Sequence, residues 1–226
     1  MNLRLWLRVM IMAAMFIAAL FGPAGTMAWP AAWVMLAEFF GGCTAILAIL
    51  ARENPALLAE RLRSRIRSAG QPLWDQVLMA IFPVLFMGWL ALMGLDAGRY
   101  GWLRLPFEVK VAGDILLFVW FWLMRFVLRA NTFLIPIVRI QHDRGQTVVS
   151  TGPYAVVRHP MYSSMLLLFV AMPMAVGSGW GLVSSLALSA LIILRTALED
   201  RTLANELEGY ATYRSKVRYR LIPQIW

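Results

Sequence analysis

The stretch Met161–Leu194, MYSSMLLLFVAMPMAVGSGWGLVSSLALSALIIL, runs for 34 residues without a charged side chain. As a single helix it would be about 50 Å long, well beyond the hydrocarbon core of a bilayer. Gly177-Ser178-Gly179-Trp180-Gly181 interrupts it, and glycines at that density end helices and make turns. The stretch therefore predicts a tight helical hairpin. Its legs are short, the second being Leu182–Leu194, so they are tilted, sheltered by other helices or not fully spanning. No strand pattern precedes the glycines, so they read as turn residues and not as a nucleotide loop.

Both flanks of the hairpin are rich in chemistry. Upstream, a polar loop at His142-Asp143-Arg144-Gly145-Gln146 leads into Thr151–Pro160, TGPYAVVRHP. Pro160 suits the first turn of a helix, where its missing N–H had no partner to lose. Arg158 and His159 are then expected at a helix mouth on a membrane surface, with Tyr162 about one turn inside. Downstream stands Arg195-Thr196-Ala197-Leu198-Glu199-Asp200. Arg195 and Glu199, four apart, share one helix face. Antiparallel legs return that pair to the membrane depth of His159 and Tyr162.

Outward from the hairpin the chain is of the same kind. Its 226 residues are 61% hydrophobic and only 15% charged, where a soluble domain carries about a quarter charged residues. Further spans are expected at Leu5–Phe21, Trp29–Leu50, Val77–Leu95 (kinked or tightened near Pro83) and Phe107–Leu128. Residues 1–28 resemble a signal peptide, but more spans follow at once, so they read as the first crossing. The predicted fold is all-α: a polytopic integral-membrane helical bundle of five to six spans, with a helical hairpin and a cytoplasmic C-terminal helix. It forms a single membrane domain, 1–226, with four spans in 1–128 and the motif loop, hairpin and tail in 129–226.

Ala51–Pro72 carries five arginines. Asn54-Pro55 is a good helix start, Leu58, Leu62 and Ile66 recur every four residues, and Arg61, Arg63, Arg65 and Arg67 fill the other faces. This predicts a short helix on the membrane surface with its arginines on phosphates. Asp96–Pro106 reads as a short external loop. Glu38 is the only charge in the second span, and packing against Arg8 and a functional role are both open. A single cysteine, Cys43, excludes a disulfide within the chain, and two histidines argue against a metal site. The net charge of +9 reads as membrane topology plus anionic lipid headgroups, not nucleic acid, because the arginines flank apolar segments. With the N-terminus inside and six crossings, all basic residues except Arg99, Arg104 and Lys110 fall on the cytoplasmic side. Both termini and the motif are therefore expected there.

The pattern Gly152-Pro153-Tyr154 followed by Arg158-His159-Pro160 and Tyr162 resembles the signature of a family of integral-membrane methyltransferases. That family includes isoprenylcysteine carboxyl methyltransferases and phospholipid N-methyltransferases. Arg195 through Asp200 is similar to its R-x-x-x-E-E element, and Gly209-Tyr210 through Arg220-Leu221-Ile222-Pro223 to its closing segment. The resemblance implies S-adenosyl-L-methionine as cofactor, contacted by His159, Pro160, Tyr162 and Glu199, with Gly152 and Tyr154 shaping the loop. Asp200 stands where relatives carry a second Glu, and its shorter reach leaves its part open.

The chemistry of that cofactor fits these residue types. Helix N-terminal N–H groups with Arg158 or His159 suit its carboxylate, Glu199 its ammonium, and tyrosine faces its sulfonium. An amine acceptor needs a base, for which Glu199, Asp200 and His159 are candidates. A carboxylate acceptor needs a clamp instead, for which Arg158 and Arg195 are candidates. The expected acceptor is the amine of a phosphatidylethanolamine-type headgroup drawn from the lipid phase. The alternatives are an isoprenylated cysteine or another small acid or thiol, and a non-catalytic lipid-binding membrane protein. Tyr210 and Tyr213 are expected to pack the tail, and Arg214–Arg220 to anchor it on phosphates.

Overall fold

The computed structural model describes residues 3–64 and 68–226, with side chains described from Leu5 onward. The expectations for Arg65, Ile66 and Arg67 lie outside the described residues. The architecture is all-helical: α1 (Leu3–Ala24), α2 (Pro30–Glu53), α3 (Pro55–Arg63), α4 (Leu73–Met93), α5 (Phe107–Ala130), α6 (Pro160–Val176), α7 (Gly179–Glu206) and α8 (Tyr210–Lys216). Five of these helices are long and apolar enough to cross a membrane, and α6 is a shorter apolar helix. The chain is thus a multi-pass membrane bundle.

Prolines and short polar side chains set the helix starts. Pro30, Pro55 and Pro160 each occupy the first turn of a helix, and the Asn54 side chain accepts from the Leu57 N–H at 2.9 Å. The hairpin turn forms where expected. Gly177 closes α6 at φ 81°, a conformation that L side chains avoid, and Ser178 Oγ accepts from Gly181 N to start α7. The second leg is longer than expected. It does not end at Leu194 but runs as one helix to Glu206, carrying Arg195, Glu199 and Asp200 on the same rigid rod as the apolar leg.

The core is built from aromatic and branched side chains of α1, α2, α4, α5, α6 and α7, with Phe169, Leu20, Met35, Leu90, Leu117 and Leu188 almost fully buried. Helices α5 and α6 approach closely because Gly113 has no side chain. A Cβ there would run into the α6 backbone at Met174 and Ala175.

Two expectations need correction, and one reading left open is closed. Asp96–Pro106 is not simply a loop: α4 continues as a π-helical turn through Gly94–Tyr100. Asp96 is fully buried in it. Its carboxylate accepts from Leu103 N (2.8 Å), Ser178 Oγ (2.7 Å) and Trp180 N (3.0 Å), locking the hairpin turn to the end of α4. Arg61 does not point to lipid phosphates; it donates to the Leu134 carbonyl at 2.8 Å, and Leu57 of the same helix is fully buried. Arg8 is not the partner of Glu38 either, because it donates to the Leu62 carbonyl at 3.2 Å.

Candidate functional site

At the end of the bundle where α5 stops and α6 begins, a cleft opens between the 131–149 segment, the motif loop, the α6 start and the far part of α7. It holds a cavity of about 90 Å³ and opens to solvent at its mouth. Ile135, Ile137, Val138, Leu203 and Leu207 make apolar walls; Asn131, Arg139, Gln141 and Gln146 add polar groups. Of the residues expected at a site, Tyr154, Arg158, His159, Tyr162 and Glu199 line this cleft, while Gly152, Pro160, Arg195 and Asp200 lie outside its lining.

The hairpin is what brings His159, Tyr162 and Glu199 together. The Tyr162 hydroxyl donates to Glu199 Oε2 across the two legs. The His159 and Tyr162 rings lie nearly parallel, centroids 5.9 Å apart. The Arg195 guanidinium sits 5.5 Å from the Tyr162 ring centroid and is not part of the cleft lining.

Behind the cleft stand two buried carboxylates that organise it. Asp200, fully buried, accepts from Arg158 Nε (2.7 Å) and Nη2 (3.0 Å), Arg220 Nε (3.0 Å) and the Tyr210 hydroxyl (2.9 Å), and lies 3.3 Å from His159 Nε2. Arg158 also donates through Nη1 to the Val217 and Arg218 carbonyls, both at 2.7 Å. The backbone repeats the connection: Arg158 N donates to Tyr219 O and His159 N to Arg220 O, each at 2.9 Å. Burial works against the charge of Arg158, yet Asp200 beside it holds the guanidinium above its ordinary range. The second carboxylate, Asp75 on α4, is also fully buried. It accepts from Arg195 Nε (2.9 Å), Gln71 Nε2 (2.7 Å) and Val138 N (2.9 Å), and Arg195 Nη2 reaches the Pro136 carbonyl at 2.6 Å.

These two hubs change the reading of the tail. Tyr210 and Tyr213 pack as expected, but they also bond: Tyr213 donates to the Tyr154 carbonyl at 2.6 Å and Tyr210 belongs to the Asp200 hub. Arg220 is not a phosphate anchor; it is drawn inward to Asp200 and lies 4.7 Å from the Trp226 ring centroid. Burial pushes the Tyr213 phenol up to about 12, and burial with the Asp200 charge raises Tyr210 further. Asp75 went unread, although an acid close to a membrane span is itself a signal. Among the described residues no cluster of metal-ligating side chains occurs.

Residues 109–208 match the family described as phospholipid methyltransferase. Over that segment the chain is similar to the phospholipid methyltransferase family. That segment spans α5, the motif loop, α6 and all of α7, so it contains both legs of the hairpin and most of the cleft. The tail that completes the Asp200 hub, from Gly209 onward, follows the matched segment. No curated protein matches the chain.

Proposed function

We propose that this membrane protein is a methyltransferase that uses S-adenosyl-L-methionine to methylate the amine of a phosphatidylethanolamine-type headgroup. The observation that carries the reading is the convergence of Glu199, Tyr162 and His159 on one cleft inside the matched domain. The residues present fit the cofactor. Glu199 would take its ammonium, the start of α6 its carboxylate, the Tyr154, Tyr162 and His159 faces its sulfonium, and the Ile135–Leu203 walls its base. When bound, it supplies a methyl group on a positively charged sulfur.

The protein's own part is to position the acceptor, exclude water and remove a proton. An amine must be unprotonated to attack. His159 faces Asp200 through Nε2, which orients the ring and leaves Nδ1 as the nitrogen that can accept the proton. The arginines considered as clamps for a carboxylate acceptor both have internal anions, Arg158 on Asp200 and Arg195 on Asp75. That occupancy favours the amine over the prenylcysteine carboxylate. An apolar recess of about 190 Å³ between α4, α6 and α7, lined by Phe82, Met165 and Ile192, shares Met161 with the cleft and suits a lipid-borne acceptor. The arginine asymmetry supports a cytoplasmic cleft and cytoplasmic termini.

The test is transfer of labelled methyl groups by purified protein in vesicles that contain phosphatidylethanolamine, with a prenylcysteine analogue in parallel. Label in the methylated ethanolamine headgroup is expected. Label only in the prenylcysteine ester would overturn the acceptor, and failure of calorimetry to detect S-adenosylmethionine binding would overturn the cofactor.

A further inference from the structure

A second recess lies on the other side of the turn that follows α5. Asn131 and Phe133 line the cleft, whereas Thr132 between them lines this recess of about 470 Å³. Its walls are apolar, from Ile46, Ile49 and Leu50 on α2 and Leu128 on α5. Its head is charged. Arg125 and Arg129 face Glu53 at 3.9 Å and 3.6 Å, too far apart for hydrogen bonds. All three side chains are at least 40% exposed. Two guanidiniums therefore share one carboxylate loosely, with donors left over, at the mouth of an apolar slot.

We propose that this recess is an accessory phospholipid site for an aminophospholipid. The phosphodiester sits between Arg125 and Arg129, the headgroup ammonium faces Glu53, and an acyl chain lies along Ile46, Ile49 and Leu128. Charge complementarity selects the occupant. A phosphodiester drawing the arginines away from Glu53 leaves that carboxylate in need of a cation, which an ammonium headgroup carries and a glycerol headgroup does not. Free phosphate leaves the apolar slot unfilled. Arginine favours phosphate because its planar fork offers paired donors, and basic pockets between spans are suited to headgroups. Only the idea that the occupant is also the acceptor rests on the function proposed above; binding does not.

Native mass spectrometry of the purified protein, titrated with phosphatidylethanolamine, phosphatidylglycerol of the same chains, or inorganic phosphate, tests this. Retention of phosphatidylethanolamine over the other two is expected. Arg125→Gln with Arg129→Gln should remove one bound phosphatidylethanolamine per protein, and Glu53→Gln should turn the preference of that site toward phosphatidylglycerol. Ile49→Trp, which fills the slot and leaves the charges alone, should lower retention too. Calorimetric S-adenosylmethionine binding should stay intact in these variants, which separates loss of the lipid site from loss of fold. Unchanged retention in the arginine or Ile49→Trp variants, or displacement by phosphate alone, would overturn the site. Lost methyl transfer with intact lipid retention would count against the cleft reading and leave this one standing.

Discussion

Tyr162, one turn into α6, donates its phenolic hydrogen to the Glu199 carboxylate on α7, so the two legs of the hairpin meet in one polar contact within the cleft. The contact holds Glu199 at a fixed height while leaving its other oxygen for a ligand. Glu199→Gln removes the charge, and a charge-assisted hydrogen bond contributes about 1.5–3 kcal/mol. It is expected to weaken S-adenosylmethionine binding by roughly ten- to a hundredfold. Tyr162→Phe keeps the carboxylate and should weaken it less. Titration calorimetry on both variants checks the order; equal losses would mean that Glu199 serves only to hold Tyr162.

Asp200 gathers Arg158, Arg220 and Tyr210 beneath the motif loop. Asp200→Asn leaves the buried Arg158 and the part-buried Arg220 without their anion, and breaking a buried pair in this way costs about 3–5 kcal/mol. Unfolding in detergent should show a loss of that size. A loss below about 1 kcal/mol, the range of an exposed pair, would show the hub to be loosely held.

Asp75 and Arg195 join α4 to α7 at the back of the cleft. Either Asp75→Asn or Arg195→Gln strands the other charge, so each single change should be strongly destabilising. The double variant strands neither and should lose less than the sum. A double-mutant cycle measures this coupling; additive losses would argue that Arg195 has a partner elsewhere.

Tyr213 links the tail to the motif loop through the Tyr154 carbonyl. Burial raises its phenol from 10.0 to about 12, so the folded protein keeps a proton that the unfolded chain releases. Its contribution is complete below pH 10.0 and fades as pH climbs toward about 12. Denaturation midpoints across that window should fall less steeply in Tyr213→Phe than in the parent. Parallel curves would assign the alkaline loss to other groups such as Tyr210.

The apolar runs were readable because crossing a bilayer takes long uncharged helices, and the glycines at 177–181 marked the only break in the longest of them. His159, Tyr162 and Glu199 were readable as neighbours because a hairpin fixes which residues share a depth. What escaped was partnership across distant sequence. Arg195 and Asp75 lie 120 positions apart, and no local pattern says that one will occupy the other. Arg158 likewise looked free for a ligand until the tail folded back to supply Asp200 with company and carbonyls for its remaining donors. The inward turn of Arg61 and Arg220 has the same origin. Charge pattern alone cannot distinguish an arginine facing phosphate from one facing a carbonyl.

The lock that Asp96 makes at the far end of the bundle has a consequence for the membrane as a whole. With α4 and the hairpin turn tied there and the cleft assembled at the opposite end, the cleft is open at one end of the bundle only. Headgroups methylated there would be returned to the leaflet from which they came. Under the function proposed above, methyl transfer would therefore write a compositional asymmetry between the two leaflets, which flip-flop of lipids would erase.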